Sequence, residues 1–465
     1  MILNSFCGSK LLPPNLFRQA KQFLMLINSN GNGIKSQCQR RINYLVRTAK
    51  LTMPKRKSSR AADATAAKKA KQAEWELKFD ADWSGHAPRA GASNLPPVFV
   101  LSGPAIKGSS KIAAFDLDMT LIVPASGKTF PQGPSDWKFI NDEVKPKLEA
   151  ERKVGYKIVL ITNQRGMEKG HENPLGWQKK VNTIINELNI PIQVFVATGE
   201  NDFRKPGTKM WDVMVKHHND GIQPDMSASY YVGDAAGRAK DWAPGKKRDF
   251  SCGDRMFAAN VGINFKTPEE YFFGETPPVF DWHSINPAEV LKSCEGKHHK
   301  SYHSKKKELI IMVGFPASGK STIVKKYLVP HGYTHVNRDT LQTQAKCIQA
   351  TKEAIKGGKN VVIDNTNPSA VARADYIKLA TDSKYKVRCF VMDTSRELAN
   401  HLNFMRQTQT DGKVRRVPKV GFNVYKKNFK KPVKSEGFVE IVKIPFQPVF
   451  KSDKDKALFQ QWTCE

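Results

Sequence analysis

The chain has 465 residues, enough for two or three domains, and 40% hydrophobic residues, enough for ordinary soluble cores. Its 75 lysines and arginines against 44 acidic residues give a formal charge of +31, which suits a polyanion such as nucleic acid or an anionic membrane. Seven cysteines with no CxxC pair or Cys/His cluster argue against a disulfide framework or a zinc module, and no apolar run approaches the roughly 20 residues of a membrane span.

In chain order, residues 1–95 form a basic extension expected to be mostly disordered, with no acidic residue before Asp63. "LFRQAKQFLMLI" reads either as a mitochondrial transit helix or as a plain basic tail. After Met53, the clusters Pro54–Lys57 and Lys68–Lys71 read as a two-part nuclear import signal or a non-specific arm. A nuclear location is expected, and a mitochondrial one as well through the N-terminal extension, with the initiator-like Met53 suggesting two translation products. Strand-like "KIAAFDLD", "YKIVLITN", "IQVFVAT" and "SYYVGDA" then alternate with helical runs over residues 98–285, predicting parallel βαβ units. A polar, His-rich connector is expected over 286–308, and a second α/β domain over 309–465, with "LIIMVGF", "NVVIDNT" and "YKVRCFVM" as strands.

The first alternating segment ends a strand on Asp116 and Asp118. Residues two apart on a strand face the same side, so the carboxylates are expected to converge at the carboxyl edge of the sheet. Their repulsion calls for a divalent cation, or for a division of labour between a nucleophile and an acid/base. Later strand ends deliver Thr162 and Asn163, then Arg204 and Lys205, then Asp234. The first four suit phosphoryl oxygens, and Asp234 suits Mg²⁺ together with Asp116 and Asp118. Each alone is an ordinary strand-end residue. In this order they resemble the haloacid dehalogenase phosphatase superfamily. That resemblance implies a Rossmannoid α/β fold, Asp116 as nucleophile, Asp118 as acid/base, Thr162 and Lys205 on phosphate and Asp234 on Mg²⁺. Met119 stands where that superfamily usually has glycine.

In the second segment Gly314-x-x-x-x-Gly319-Lys320-Ser321 follows a strand and opens a helix, the context a P-loop requires. Gly314, Phe315, Pro316, Ala317, Ser318, Gly319, Lys320, Ser321 and Thr322 are the expected ATP cradle, with Lys320 on the β/γ-phosphates and Ser321 on Mg²⁺. Asp339 is the candidate base for a hydroxyl acceptor, or else a helix N-cap. Residues 364–367 read as a Mg²⁺ shell, as acceptor positioning or as an Asx turn. Arg406, before a polar basic lid-like stretch, is a candidate phosphate contact or a surface arginine.

From Val98 onward the chain resembles the eukaryotic polynucleotide kinase 3′-phosphatases. "FPQGPSDW", "TNQRG", "VGDAAGRAKDWAPGKKRDFSCGDR", "GFPASGK", "NRDTLQ" and "IDNTNP" carry the likeness. It implies a haloacid dehalogenase-like phosphatase domain followed by a P-loop kinase domain, acting in DNA repair. The one removes a 3′-phosphate from DNA ends and the other phosphorylates a 5′-hydroxyl with ATP. It also implies Mg²⁺, DNA ends as substrate, and repair scaffold and ligase proteins as partners. The front end shows no forkhead-associated domain, which vertebrate members carry. "WAPGKKRDF" and "KVGFNVYKKNFKKP" interleave cations with aromatics, suited to phosphates and exposed bases, or else are solvated lysines around core aromatics. A monomer without membrane association is expected. The rival readings are a catalytically silent DNA-end scaffold and a bifunctional enzyme of small metabolites.

Overall fold

Short apolar strands buried on both faces can be satisfied only between two layers of helices, and two such sheets form here. The computed structural model describes residues 76–86, 95–294, 302–410 and 412–463. The transit-like stretch and both basic clusters of the N-terminal extension lie outside them.

The first sheet takes β1 (Asp82–His86), β2 (Val98–Ser102), β3 (Ile112–Phe115), β6 (Lys157–Asn163), β7 (Gln193–Ala197), β8 (Tyr230–Val232) and β9 (Asn264–Lys266) in the order β1-β2-β7-β6-β3-β8-β9. Strands β7, β6, β3, β8 and β9 run parallel, and β2 and β1 close one edge antiparallel. A two-stranded arm, β4 (Ile122–Val123) with β5 (Lys138–Phe139), rises just beyond β3. In β3, Ala113 and Phe115 enter the core that holds Trp177 and Leu188, while Ile112 and Ala114 enter the opposite core with Met210 and Phe257. The two-residue period of the strand thus serves two helix layers at once.

The second sheet is parallel throughout, in the order β11-β12-β10-β13-β14. Its strands are β10 (Glu308–Val313), β11 (Thr334–Val336), β12 (Val361–Ile363), β13 (Lys386–Asp393) and β14 (Glu440–Pro445). The expected connector over 286–308 is more structured than its polarity suggests. Pro287–Cys294 is helical, Tyr302 is buried, and Glu308 begins β10. Arg388 explains that last placement. Its Nε and Nη2 donate to Glu308 at 2.8 and 2.7 Å, so a buried carboxylate is matched by a bidentate guanidinium.

The C-terminal stretch ties back across the chain. Trp462 stacks on Trp282 with centroids 4.1 Å apart, and its backbone exchanges hydrogen bonds with the Asn260 amide at 2.6 and 2.9 Å. The buried His401 holds this stretch through the Phe459 carbonyl at 2.8 Å and the Thr463 hydroxyl at 3.0 Å. Burial pushes the His401 imidazole down to about 4, with the Phe459 carbonyl opposing. A histidine whose folded value lies below its unfolded one stabilises the fold above the unfolded value and loses that contribution as pH falls. About 3 kcal/mol should therefore disappear between about pH 6.5 and 4. Urea midpoints measured across this window should fall for the native chain and fall less for His401→Gln.

Candidate active sites

Strand β3 ends at Phe115, and the Asp116 N–H donates to the Val232 carbonyl of β8 at 2.9 Å. Asp116 therefore leaves the sheet at its carboxyl edge between β6 and β8, where parallel α/β sheets build their sites. Lys205, whose side chain is 2% exposed, places its ammonium 2.9 Å from Asp116 Oδ1 and 2.7 Å from Asp254 Oδ1. It also donates to the Tyr231 hydroxyl at 2.5 Å, which in turn donates to the Ile161 carbonyl at 2.6 Å. The loop carrying Lys205 is pinned by Asn163, whose amide accepts from the Lys205 N–H at 2.9 Å and donates to its carbonyl at 3.3 Å. Asp234 follows β8 and is fastened by Thr120, whose hydroxyl accepts from the Asp234 N–H at 3.1 Å.

Asp116, Asp234 and Asp254 each offer a carboxylate oxygen, and these oxygens lie within 4.8 Å of one another. One ammonium faces three clustered carboxylates, so charge is unbalanced. Burial, with repulsion from Asp254 and Asp118, pushes Asp116 up to about 6 against the pull of Lys205. Burial, then Asp254 and Asp116, push Asp234 well above the usual carboxylate range. Burial opposes charge on Lys205, but Asp116 and Asp254 outweigh it and raise its pKa. An all-oxygen donor set under such repulsion fits a hard divalent cation such as Mg²⁺. Gly233 makes the approach feasible: a Cβ there would lie 2.4 Å from Asp254 Oδ2.

Asp118 takes a different environment. Its carboxylate accepts from the Gln164 amide at 2.6 Å and lies 3.5 Å from the Lys180 ammonium. Its side chain is 44% exposed where that of Asp116 is 14% exposed, so the two aspartates part company within three residues. Between them and the arm, Met119 sits at φ 60°, the left-handed region that favours glycine. Its side chain is 48% exposed and gains little packing in return. Met119→Gly should stabilise the protein by about 1 kcal/mol, read as a higher urea midpoint. An unchanged or lower midpoint would show that the methionine contacts outweigh the backbone strain.

The second site follows β10. Gly319 at φ 92° and Ala317 at φ 59° fold the loop back, and the helix Lys320–Tyr327 starts beneath it. A Cβ on Gly314 would meet Met392 Cγ and Ser318 Oγ at 2.8 Å, so only glycine allows this close approach. The Lys320 ammonium donates to the carbonyls of Gly314 at 3.1 Å and Phe315 at 2.6 Å. Burial lowers Lys320 to about 8, while Asp364 and Asp339 push it back up. Thr394 fixes the loop by donating to the Ser318 carbonyl at 3.0 Å. Asn337, not Asp339, caps the short helix Arg338–Leu341: its Oδ1 accepts from the Thr340 N–H at 3.2 Å. That leaves the exposed Asp339 free of capping duty in the first turn. Burial lowers the Arg406 pKa and the Asp339 charge opposes this. Arg406 donates to Asn403 Oδ1 at 3.1 Å, and its buried Nε has no partner.

Residues 111–272 match the family described as polynucleotide kinase 3 phosphatase, and residues 309–432 match an AAA domain. The bifunctional polynucleotide phosphatase/kinase of Schizosaccharomyces pombe is 39% identical over 347 residues, covering 74% of this chain and 81% of that protein. The chain belongs to the bifunctional polynucleotide phosphatase/kinase family. A second relative, the putative bifunctional polynucleotide phosphatase/kinase of Acanthamoeba polyphaga mimivirus, is 36% identical and covers 74% of this chain and 86% of its own length. The polynucleotide 3′-phosphatase of Saccharomyces cerevisiae, 29% identical, covers only 35% of this chain but 87% of itself. A member of this family is an enzyme with a haloacid dehalogenase-like phosphatase domain and a P-loop kinase domain, and both sheets fit that order.

The family's two halves frame where the expected residues fall. Asp116, Lys205 and Asp234 gather at one pocket, with Thr162 buried at the end of β6. Of the residues expected on the metal, Asp116 and Asp234 gather with Asp254, while the Asp118 side chain turns to Gln164 and Lys180. The spacing argument assumed a continuing strand, but β3 stops at Phe115 and buried Leu117 redirects the chain. Asn163 grips the Lys205 backbone instead of facing the pocket, and the Arg204 guanidinium lies 3.3 Å from Glu200. Adjacent residues of that loop point to opposite sides, and Lys205 takes the inner one. Arg416, from the lid-like stretch, reaches the same Glu200 at 2.5 Å. Asn367 proves structural, donating to the Met312 carbonyl at 2.7 Å. Sequence reasoning missed Asp254, Gln164 and Lys180. Lys180 did leave a signal: it lies three residues after Trp177 and four before Ile184, on the helix's buried stripe.

Proposed function

We propose that the phosphatase half removes a 3′-phosphate from DNA ends through a covalent phosphoryl-Asp116, and that the kinase half transfers the γ-phosphoryl group of ATP to a 5′-hydroxyl. The observation that carries this reading is the split between the two aspartates. Asp116 sits against an ammonium while Asp118 sits half-exposed on an amide, which supports a nucleophile in the first and a separate proton-exchanging group in the second.

In the first step the Asp116 carboxylate forms a bond to phosphorus and the bond to the 3′-oxygen breaks. Asp118 passes a proton to the leaving oxygen. It then takes a proton from the water that attacks the acyl phosphate, releasing inorganic phosphate and restoring Asp116. Lys205 and the Thr162 hydroxyl hold the phosphoryl oxygens, with Arg204 at the rim. Asp116, Asp234 and Asp254 are the residues that would hold Mg²⁺, which would supply positive charge near those oxygens and relieve the carboxylate repulsion. In the kinase site Asp339 accepts the proton of the 5′-hydroxyl as its oxygen bonds the γ-phosphorus and ADP departs. Lys320 and Arg406 neutralise the phosphates, and Ser321 and Asp364 are the groups placed for the Mg²⁺ of the nucleotide.

Two exposed aromatics of the phosphatase half support a strand of nucleic acid as substrate. Phe130 is 75% exposed in the arm and Phe250 is 97% exposed after "KKRD". Burying Asp249 against Arg238 at 2.8 Å stiffens the loop that displays Phe250 beside Lys246, Lys247 and Arg248. Aromatic faces with nearby cations stack bases and hold phosphates without reading sequence. A nuclear site of action accompanies this reading, supported by the two basic clusters of the extension.

The test is a nicked duplex with a 3′-phosphate and a 5′-hydroxyl, in Mg²⁺, with and without ATP. Phosphate release should not need ATP, and 5′ labelling should. Oligonucleotides should be turned over far faster than mononucleotides, with affinity falling steeply as salt rises. Equal turnover of mononucleotides would favour a small-metabolite enzyme, and no turnover of either would favour a silent scaffold.

A further inference from the structure

Asp364 follows β12 with its carboxylate 2% exposed, and the three residues 335–337 surround it. Its backbone N–H donates to the Val336 carbonyl at 2.8 Å, and its backbone carbonyl accepts from Asn337 Nδ2 at 2.8 Å. Its Oδ2 lies 2.8 Å from His335 Nε2 and 3.2 Å from Asn337 Nδ2. An ionised carboxylate only accepts, so the His335 ring nitrogen donates. Residues 335 and 337 are two apart at the end of β11, which aims both side chains to one side.

The other carboxylate oxygen is treated differently. Oδ1 is buried with no hydrogen-bond partner of ordinary geometry, the Ser321 hydroxyl contacting this carboxylate only loosely. Ser321 and Lys320 of the P-loop lie beside the same carboxylate. A buried, unpartnered anionic oxygen at the phosphate end of a P-loop is costly unless a ligand completes it. The terminal torsion of an aspartate is broad, so nothing in the side chain itself decides which oxygen faces the P-loop. His335 makes the shorter of the two bonds that decide it. Asn337 is already committed to capping the helix that carries Asp339.

We infer that His335 is a positioning residue of the kinase site: its ring N–H locks the Asp364 carboxylate so that Oδ1 is presented, beside Ser321, to the divalent cation that accompanies ATP. This rests on the kinase reading above and on Asp364 being a cation ligand. His335 acts through Asp364, so its effect is on the cation and not on the nucleotide alone. Groups that orient metal ligands in this way are worth 10–100-fold in metal affinity.

The experiment is calorimetric binding of a non-hydrolysable ATP analogue to the full chain, in Mg²⁺ and in EDTA. The ratio of the two dissociation constants isolates the cation's share, and 3′-phosphatase activity of the same samples reports folding. His335→Phe keeps a ring but no donor, and should lose about 10–100-fold of the Mg²⁺-dependent tightening with EDTA binding unchanged. His335→Gln carries an amide donor near the Nε2 position and should restore most of it. Asp364→Asn is the control for the underlying reading and should lose the tightening outright. If Asp364→Asn loses it and His335→Phe does not, the positioning role is overturned while the site reading stands. If Asp364→Asn keeps it, Asp364 is no cation ligand and both fall. Equal loss of binding in EDTA and Mg²⁺ for His335→Phe would mark a merely structural role and overturn the inference.

Discussion

Asp116→Asn should cut 3′-phosphate release by four orders of magnitude or more and leave ATP-dependent 5′ labelling intact. The size follows from the proposed role: an amide cannot replace a carboxylate as the covalent nucleophile, and losing it removes the whole first step. Four decades correspond to about 5.5 kcal/mol of barrier. The fold should survive. Asparagine keeps the volume, and Lys205 stays paired to Asp254 at 2.7 Å, so no buried charge is orphaned. The substitution also removes one of three mutually repelling carboxylates. Thermal stability without Mg²⁺ should therefore hold or rise. Residual phosphatase activity within tenfold of native would refute the nucleophile assignment. Loss of the kinase as well, in folded protein, would show that the Lys205 loop and the kinase helix it meets are coupled; Gly207 and Phe404 already lie against each other there.

Lys320→Ala should do the reverse. Removing one charge aimed at the transferring phosphoryl group costs about 10²–10³-fold in kcat. Without nucleotide this ammonium rests on two backbone carbonyls and a serine hydroxyl, with no carboxylate in direct contact. Its loss should therefore leave the ligand-free protein about as stable as before. What should vanish is the stabilisation by ATP, which for the native chain reaches about 2.7 kcal/mol at a hundredfold excess over Kd. Melting curves with and without ATP, alongside both activity assays, check all three points. A variant that still gains stability from ATP would mean that Lys320 does not hold the phosphates.

Much of this architecture was readable one segment at a time. Strands β3, β6, β7 and β10 are runs of mostly apolar residues, and a strand buried on both faces leaves that mark. The P-loop was readable because backbone geometry demands glycine at Gly319 and a close approach at Gly314. By contrast β1, "DWSGH", has no apolar signature, since an edge strand needs only ladder bonds to β2. The helix Pro287–Cys294 was hidden in a polar, basic connector.

The site divides along the same line. Local order along the chain determined that acidic groups, a hydroxyl and an ammonium would meet at one sheet edge, because parallel strands present their carboxyl ends together. It also determined that a phosphate cradle would form between a strand and a helix. Only the tertiary structure decided which acids share a pocket. Asp254 reaches Asp116 from a helix that begins more than a hundred residues later, through the gap that Gly233 leaves. Asp118, two residues from Asp116, goes instead to Gln164 and Lys180. Side-chain direction at a strand end depends on the bend that follows, and that bend is set by where the buried Leu117 packs, a long-range fact that no local spacing encodes.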